Sequence, residues 1–196
     1  MPPSDETRDA ILDTAEALLA RQGAGKTGVV DIARSLGMSH ANVYRYFASK
    51  AELFDAVAER WLVRDAEPLY KVAFDRGKAG DRLVRWIVAT YRHKRQKVID
   101  EPELFAFYKA LMAESSRDFV AQHTRDLAAQ LDRILEDGVA SGEFKVGDRK
   151  RAINVILDAT VSLRHPAIVA GPHALDERRV RAVAETIRDA LRAGAF

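Results

Sequence analysis

Apolar residues recur along this chain at intervals of three and four, the spacing of helices with one buried face. Between Asp5 and Gln22, the residues Ile11, Leu12, Ala15, Leu18 and Leu19 share a face; Ser4 or Asp5 can cap the start and Gly23 can stop the helix. Thr27 or Gly28 to Leu36 predicts a short helix closed by Gly37, and Ser39 opens another to about Tyr46. Ser49-x-x-Glu52 is a capping box just ahead of the Leu53, Phe54, Val57 stripe, and Pro68 predicts a kink or an end near Glu67. A helix from about Asp81 to Ile99 carries Leu83, Trp86, Ile87 and Tyr91; Asp100-x-Pro102-Glu103 starts the next, which runs to about Ala113. From Ser116 to about Ser141, Phe119, His123, Leu127, Leu131, Ile134 and Gly138 form one stripe. Arg149 to about Arg164 reads as a helix, His165-Pro166 and Gly171-Pro172 as a loop, and Asp176 to Arg192 as a last helix burying Val180, Val183, Ile187 and Leu191. No alternating run predicts a strand. The fold class is all-α, with about nine helices.

Composition narrows what such a bundle can do. The 196 residues include no cysteine, which excludes disulfides, thiolate metal sites and a cysteine nucleophile. The N-terminal MPPSDETRDA has neither the basic nor the apolar region of a secretion signal, and the longest apolar run, Leu104 to Tyr108, is far too short to span a membrane. A cytoplasmic protein without membrane association is expected. The five histidines (40, 93, 123, 165 and 173) lack metal-ligand spacing, and no His-Glu-x-x-His or Gly-x-Ser-x-Gly motif occurs, so neither a metal, a cofactor nor an enzymatic activity is expected. Gly23-Ala-Gly-Lys-Thr27 mimics the tail of a phosphate-binding loop, but Ala20 stands where the motif needs glycine, and a helix precedes it instead of a strand.

The informative stretch is TGVVDIARSLGMSHANVYRYFASKAELF, residues 27–54. Two short helices flank a turn at Gly37; Ile32, Ala33 and Leu36 face Val43 and Phe47, and Ala33 is small where the helices cross. This is a helix-turn-helix, whose second helix can enter the major groove of DNA. Its outer face offers His40, Ala41, Asn42, Tyr44, Arg45 and Tyr46. Thr27 and Ser39 read as helix N-caps.

Together with Arg8, Ile11, Ala15 and Gly23 before it and Lys50 and Leu53 after it, the Tyr44-x-x-Phe47-x-x-Lys50 spacing behind a Gly-x-Ser turn resembles the N-terminal domain of the tetracycline-repressor-like (TetR) family of bacterial regulators. The resemblance covers roughly residues 6 to 60. It implies a helix-turn-helix domain, placed at residues 1–52, and an effector-binding and dimerisation domain at 53–196. It further implies a homodimer that binds a palindromic double-stranded DNA operator and is released by a small-molecule effector. Carried over by position, Thr27, Ser39, Tyr44, Tyr46 and Lys50 hold phosphates, while His40, Ala41, Asn42 and Arg45 face base edges. His40-Ala41 replaces the Lys-Gly type of pair usual in the family, so the operator sequence does not carry over. A DNA-associated architectural or interaction module without effector control is the alternative.

In the C-terminal part the resemblance implies a ligand cavity, for which Trp86, Tyr91, Phe105, Tyr108, Phe119 and His123 are candidates, although aromatics at such spacing also serve as plain core. His123 lies on an apolar stripe, either as a core histidine bonded to backbone or as a ligand contact. The segment 149–164 reads as apolar nearly all round, making Ile153, Ile156, Leu157 and Val161, with Val183 and Ile187 of the last helix, candidates for a dimer interface; burial in a large core is the competing reading. The formal charge of +2 is unevenly spread: residues 1–60 carry seven basic against nine acidic groups, and residues 61–99 ten against four. The basic run from Arg92 to Lys97 either approaches DNA or simply supplies cations at a helix C-terminus.

Overall fold

A computed structural model describes residues 5–113, 118–172 and 174–195. Ser4 and Ser116, expected at two helix starts, lie outside these residues, as does the side chain of Phe119. Ten α-helices and two single 3-10 turns make up the regular structure among the described residues, with no strand. They are α1 (Asp5–Gln22), α2 (Val29–Ser35), α3 (His40–Val43), α4 (Lys50–Ala73), α5 (Ala79–Asp100), α6 (Pro102–Ala113), α7 (Asp118–Ala140), α8 (Arg149–Ala159), α9 (Pro166–Val169) and α10 (Glu177–Ala193).

Local chemistry explains most boundaries. Pro102 begins α6, where its missing N–H costs nothing. Asp148 and Asp176 cap α8 and α10 by accepting from the backbone N–H groups of Arg151 and Arg179. At α4, Ser49 Oγ accepts from Glu52 N at 3.0 Å, while the Glu52 carboxylate accepts from Ala48 N at 2.7 Å, one residue earlier than in the usual reciprocal box.

Of the kink or end expected at Pro68, the end does not occur: α4 continues to Ala73. The missing backbone hydrogen bond is outweighed by the burial of Leu69 and Ala73 on the following turn. The segment 149–164 is not one helix: α8 stops at Ala159, and a 3-10 turn, Val161–Leu163, follows. Thr160 returns its hydroxyl to Ile156 O at 2.6 Å, a local bond that competes with helix continuation. Pro166 then starts α9 inside the expected loop.

Packing divides the chain into two compact units, residues 1–62 with 99–120, and residues 63–98 with 121–196. The residue 52–53 border read from the sequence falls inside α4. In the first unit, α1 supplies Ile11, Leu12, Ala15 and Leu19, and the helix-turn-helix supplies Ile32, Ala33, Val43 and Phe47. The same unit includes α6 because its aromatic face is needed there: Phe107 meets Phe54 edge-on at 5.2 Å, Tyr108 lies 4.8 Å from Trp61, and Trp61 Nε1 donates to Glu101 at 2.8 Å. The second unit has its own core of α5, α7, α8 and α10 side chains, among them Leu83, Trp86, Ile87, Leu131, Ile134, Ile156, Val180 and Leu191. Gly138 of α7 is required by packing: a Cβ there would lie 2.1 Å from the Phe144 ring.

Candidate nucleic-acid interface and ligand site

The turn between α2 and α3 is built by its backbone. Gly37 has φ +65°, a left-handed conformation that glycine adopts without strain, and this lets Gly37 N and Met38 N bond back to Arg34 O (3.2 Å) and Ala33 O (3.0 Å). Ser39 then caps α3 as the sequence suggests, its Oγ accepting from Asn42 N at 3.2 Å. Val43 and Phe47 are buried, and the Arg8 guanidinium of α1 lies 5.1 Å above the Phe47 ring.

With that side anchored, the opposite side of α3 and the turn after it stands out. His40, Ala41, Tyr44, Arg45 and Lys50 are exposed, and Asn42 and Tyr46 are half-buried. Tyr44 keeps 46% of its surface accessible, and the His40 ring meets it edge-on at 6.4 Å. Lys50 Nζ sits 4.8 Å from the Phe54 ring centroid, its charge still exposed. Asn42 Nδ2 lies 3.8 Å from Met38 Sδ, a weak contact that leaves its carbonyl available. Helix α3 and the turn after it carry an imidazole, an amide, a phenol and the Arg45 cation at exposed or half-buried positions, and Lys50 at the start of α4 adds a second cation. Acids of the same unit are partly spent elsewhere: Arg60 pairs with Asp13 at 2.6 Å and Glu16 at 3.3 Å.

Thr27 is a correction. It is buried, its Oγ1 donates to Gly23 O at 2.8 Å, and Gly28, not Thr27, caps α2 with Asp31 Oδ2 accepting from Gly28 N at 3.0 Å. Residues Ala24–Lys26 form only a 3-10 turn after α1, so the phosphate-loop resemblance ends there.

The ligand candidates are not brought together within either unit. Phe105 and Tyr108 are buried in the first, against Trp61. Trp86 and Tyr91 are buried in the second with their polar atoms satisfied: Trp86 Nε1 donates to Gln130 at 2.8 Å and Tyr91 to Leu175 O. His123 is different. Its ring is half-buried, yet Nδ1 is buried and has no hydrogen-bond partner. Burial pushes the imidazole down to about 4; the Lys94 charge adds to this, Asp65 opposes it and Arg164 lowers it further. The backbone-bonded core histidine is therefore not what Nδ1 forms.

Sequence reasoning missed the group beside it. Asp65 of α4 is buried and paired with Lys94 of α5, itself buried, and His93 Nε2 lies 3.1 Å from Asp65 Oδ1. Burial would raise the Asp65 carboxyl, but the Lys94 charge, the His93 and Lys94 side chains and the His123 field outweigh it and hold it well below the usual carboxylate range. The spacing carried a signal: Asp65 is four residues from both Trp61 and Leu69, and Lys94 is three from Tyr91 and seven from Ile87, so both lie on buried stripes.

The expected dimer residues divide as well. Ile153, Ile156, Leu157 and Ile187 are buried in their own unit's core, Val183 is partly buried, and Val161 is exposed. An α8 that is apolar nearly all round is overturned, because Arg151, Asn154, Val155 and Asp158 form an exposed outer side. The basic run on α5 is largely engaged within the second unit: Arg92 forks onto Glu177 at 2.8 and 2.5 Å, Lys94 holds Asp65, and Arg95 donates to Val169 O at 2.8 Å.

This architecture, a helix-turn-helix with an added helical unit, is that of a DNA-binding transcription regulator. Residues 11–57 match the family described as bacterial regulatory proteins, tetR family, and residues 79–187 the one described as tetracyclin repressor-like, C-terminal domain. The chain belongs to the TetR family of transcriptional regulators. It is 36% identical over 101 residues to an uncharacterized HTH-type transcriptional regulator of Mycobacterium tuberculosis, a match covering 51% of this chain and 48% of that protein. The matched part thus spans about half of that relative's length. Its fold is similar to SmeT, the repressor of the Stenotrophomonas maltophilia multidrug efflux pump SmeDEF (TM-score 0.63, 24% identity, 93% of this chain and 88% of that one). It is also similar to the transcriptional regulator FadR of Bacillus subtilis, solved in complex with stearoyl-CoA (TM-score 0.63, 18% identity, 95% and 98%). No helix is long and apolar enough to cross a membrane among the described residues, and no group of three or more His, Asp or Glu side chains there can hold a metal ion.

Proposed function

We propose that this regulator is a repressor that binds a palindromic operator as a homodimer and leaves it when the C-terminal domain takes up a small molecule. The observation that carries the DNA-reading part is the outward face of α3, where His40, Ala41, Tyr44 and Arg45 are exposed over a buried Val43 and Phe47. Arg45 suits guanine or a phosphate, Asn42 suits adenine, and the Ala41 methyl suits a thymine methyl. Ser39, Tyr44, Tyr46 and Lys50 hold the backbone. Two-fold symmetry then puts half-site centres about one turn of DNA apart, roughly 34–36 Å. Ligand control requires an effector that binds the DNA-competent and released states with different affinity. The division into a reading head at 1–52 and a regulatory domain at 53–196 belongs to this proposal. Its dimer surface includes Val161, and Val183 to the extent that it is accessible.

Selection of duplexes from a random-sequence pool by the full chain tests the reading. A palindromic motif, bound by a particle that sediments as a dimer at micromolar concentration, is the expected result. Enrichment of no symmetric site, or a monomer in sedimentation, overturns it.

A further inference from the structure

One face of the second unit is apolar without being covered. On α4, Val63, Tyr70 and Phe74 follow one another at helical spacing on a single side, and all three are exposed. Beside them, between α4 and α7, lies a cavity of about 300 Å³, near the lower end of the sizes that hold small molecules. Val63, Ala66, Tyr70 and Ala129 give it apolar lining, and the charged side chains among the described residues that line it are both carboxylates, Glu67 and Asp126. Glu67 meets Lys71 at 3.3 Å in an exposed pair, an arrangement worth little. Asp126 accepts from the neutral Gln122 amide at 2.8 Å, which keeps the Arg125 cation one side chain away. Phe74 stacks on the Tyr70 ring at 4.1 Å, and the Arg133 guanidinium, itself paired with Asp137 at 3.1 Å, lies 5.9 Å from the Phe74 centroid, so this aromatic pair already takes a cation at one end. Gln130 also lines the cavity, with only 3% of its surface accessible, and its Oε1 accepts from Trp86 Nε1 at 2.8 Å. An indole N–H only donates, so this bond fixes the amide and leaves the Gln130 NH₂ without a partner among the described residues. An anion entering the cavity meets two carboxylates. A neutral apolar molecule covers the walls and gains nothing from the charge. An organic cation gains from both.

We propose that this groove between α4 and α7 is the effector site and that it takes an organic cation. The ammonium group lies against Glu67, Asp126 and the Tyr70 ring, an apolar body covers Val63, Ala66 and Ala129, and an acceptor oxygen takes the Gln130 amide. The inference rests on the reading that the C-terminal domain takes a small-molecule effector, and adds the place and the chemical class of that molecule.

Calorimetry on the full chain tests the class with three compounds. Benzoylcholine carries ring, carbonyl and quaternary ammonium; its tert-butyl analogue keeps the shape and loses the charge; phenylbutyltrimethylammonium keeps the charge and loses the carbonyl. Benzoylcholine is expected to bind about fivefold or more tightly than the tert-butyl analogue, the scale of a cation–π contact with a screened charge pair. Over phenylbutyltrimethylammonium the expected preference is about threefold or more, the scale of one hydrogen bond. Glu67→Gln combined with Asp126→Asn, which keeps both side-chain shapes, reduces the preference for the cation over its tert-butyl analogue to below about twofold. In the wild-type complex the Ala66 and Ala129 methyl signals shift under the ligand's ring, and should the double variant misfold by circular dichroism, these shifts and the wild-type preferences decide alone. Equal binding of benzoylcholine and either analogue, binding of none of the three, or binding that leaves both methyl signals unmoved overturns the inference. The two readings fail separately. Benzoylcholine that seats in the groove but leaves the operator complex intact supports the cation site and defeats ligand control. Operator release by a compound that leaves both methyl signals unmoved does the reverse.

Discussion

The two units of this molecule handle polar side chains in opposite ways. In the first, the groups proposed to read DNA stand outside: His40, Tyr44, Arg45 and Lys50 are exposed over a core of Val43, Phe47 and Leu53. In the second, Asp65, Lys94, Arg82 and Thr90 are buried, and His123 has one buried nitrogen without a partner. An outward polar face costs the fold little and can be varied with the DNA it meets. An inward one ties charge to folding, because the groups that carry it also hold helices together.

The sharpest way to break this contrast is to remove one half of the buried pair. Lys94→Met leaves the Asp65 carboxylate without its main countercharge, and Asp65→Leu takes that carboxylate from Lys94; each is expected to cost about 3–5 kcal/mol in urea denaturation. The double variant is expected to lose less than either, since the uncompensated charge is gone. Singles that cost under about 0.5 kcal/mol, as surface substitutions do, would mean the second unit treats its charges as the first does.

The next effect is a pH dependence that belongs to the second unit. The His123 imidazole has an ordinary value of 6.5 and is pushed down to about 4 in the fold, chiefly by burial. Between those values the unfolded chain binds a proton that the folded chain refuses, so stability is full above about 6.5 and falls as pH drops toward 4. The loss is on the order of 2 kcal/mol. Asp65, held low, extends the decline at still lower pH, because its unfolded carboxyl protonates first. Urea midpoints measured across this window are expected to slope less in His123→Gln than in wild type; identical slopes would remove His123 from the account.

Turning from inside to outside, Tyr44→Ala combined with Lys50→Ala is expected to weaken operator binding by about ten- to a hundredfold, while thermal stability changes by less than about 0.5 kcal/mol. Fluorescence anisotropy on the selected operator, paired with thermal melts, checks both halves. Affinity that survives the pair unchanged removes their role in the contact.

What the sequence made legible follows the same division. The helix-turn-helix rests on local rules: Gly37 must reach a positive φ, Ser39 must cap, and Val43 and Phe47 fall on the inner side by spacing alone. Nothing distant decides them. Thr27 fails because its hydroxyl had two local uses, and bonding back to Gly23 O prevailed over capping. Pro68 does not end its helix because packing around Leu69 and Ala73 overrides a local penalty. The Asp65–Lys94 pair joins residues 29 positions apart on different helices, and spacing along one helix marks each as buried but says nothing of its partner. The segment 149–164 departs from its expectation for a related reason: Ile153, Ile156 and Leu157 all turn to one core, which spacing along the segment does not reveal.

The smallest expected effect separates two sets of surface cations. Lys50 stands exposed beside α3, so Lys50→Ala should reduce the slope of log affinity against log salt by about one for each head, the signature of one lost phosphate contact. Arg92 is also exposed, but its guanidinium forks onto Glu177 within its own unit, and that pairing holds the Glu177 carboxylate below its ordinary range. Arg92→Ala should therefore leave the salt slope where it was, with no resolvable change in melting temperature, as is usual for an exposed ion pair. A slope that falls for Arg92→Ala as it does for Lys50→Ala would place the α5 basic run against the DNA. The contrast between an outward-reading first unit and an inward-bonded second one would then need redrawing at Arg92.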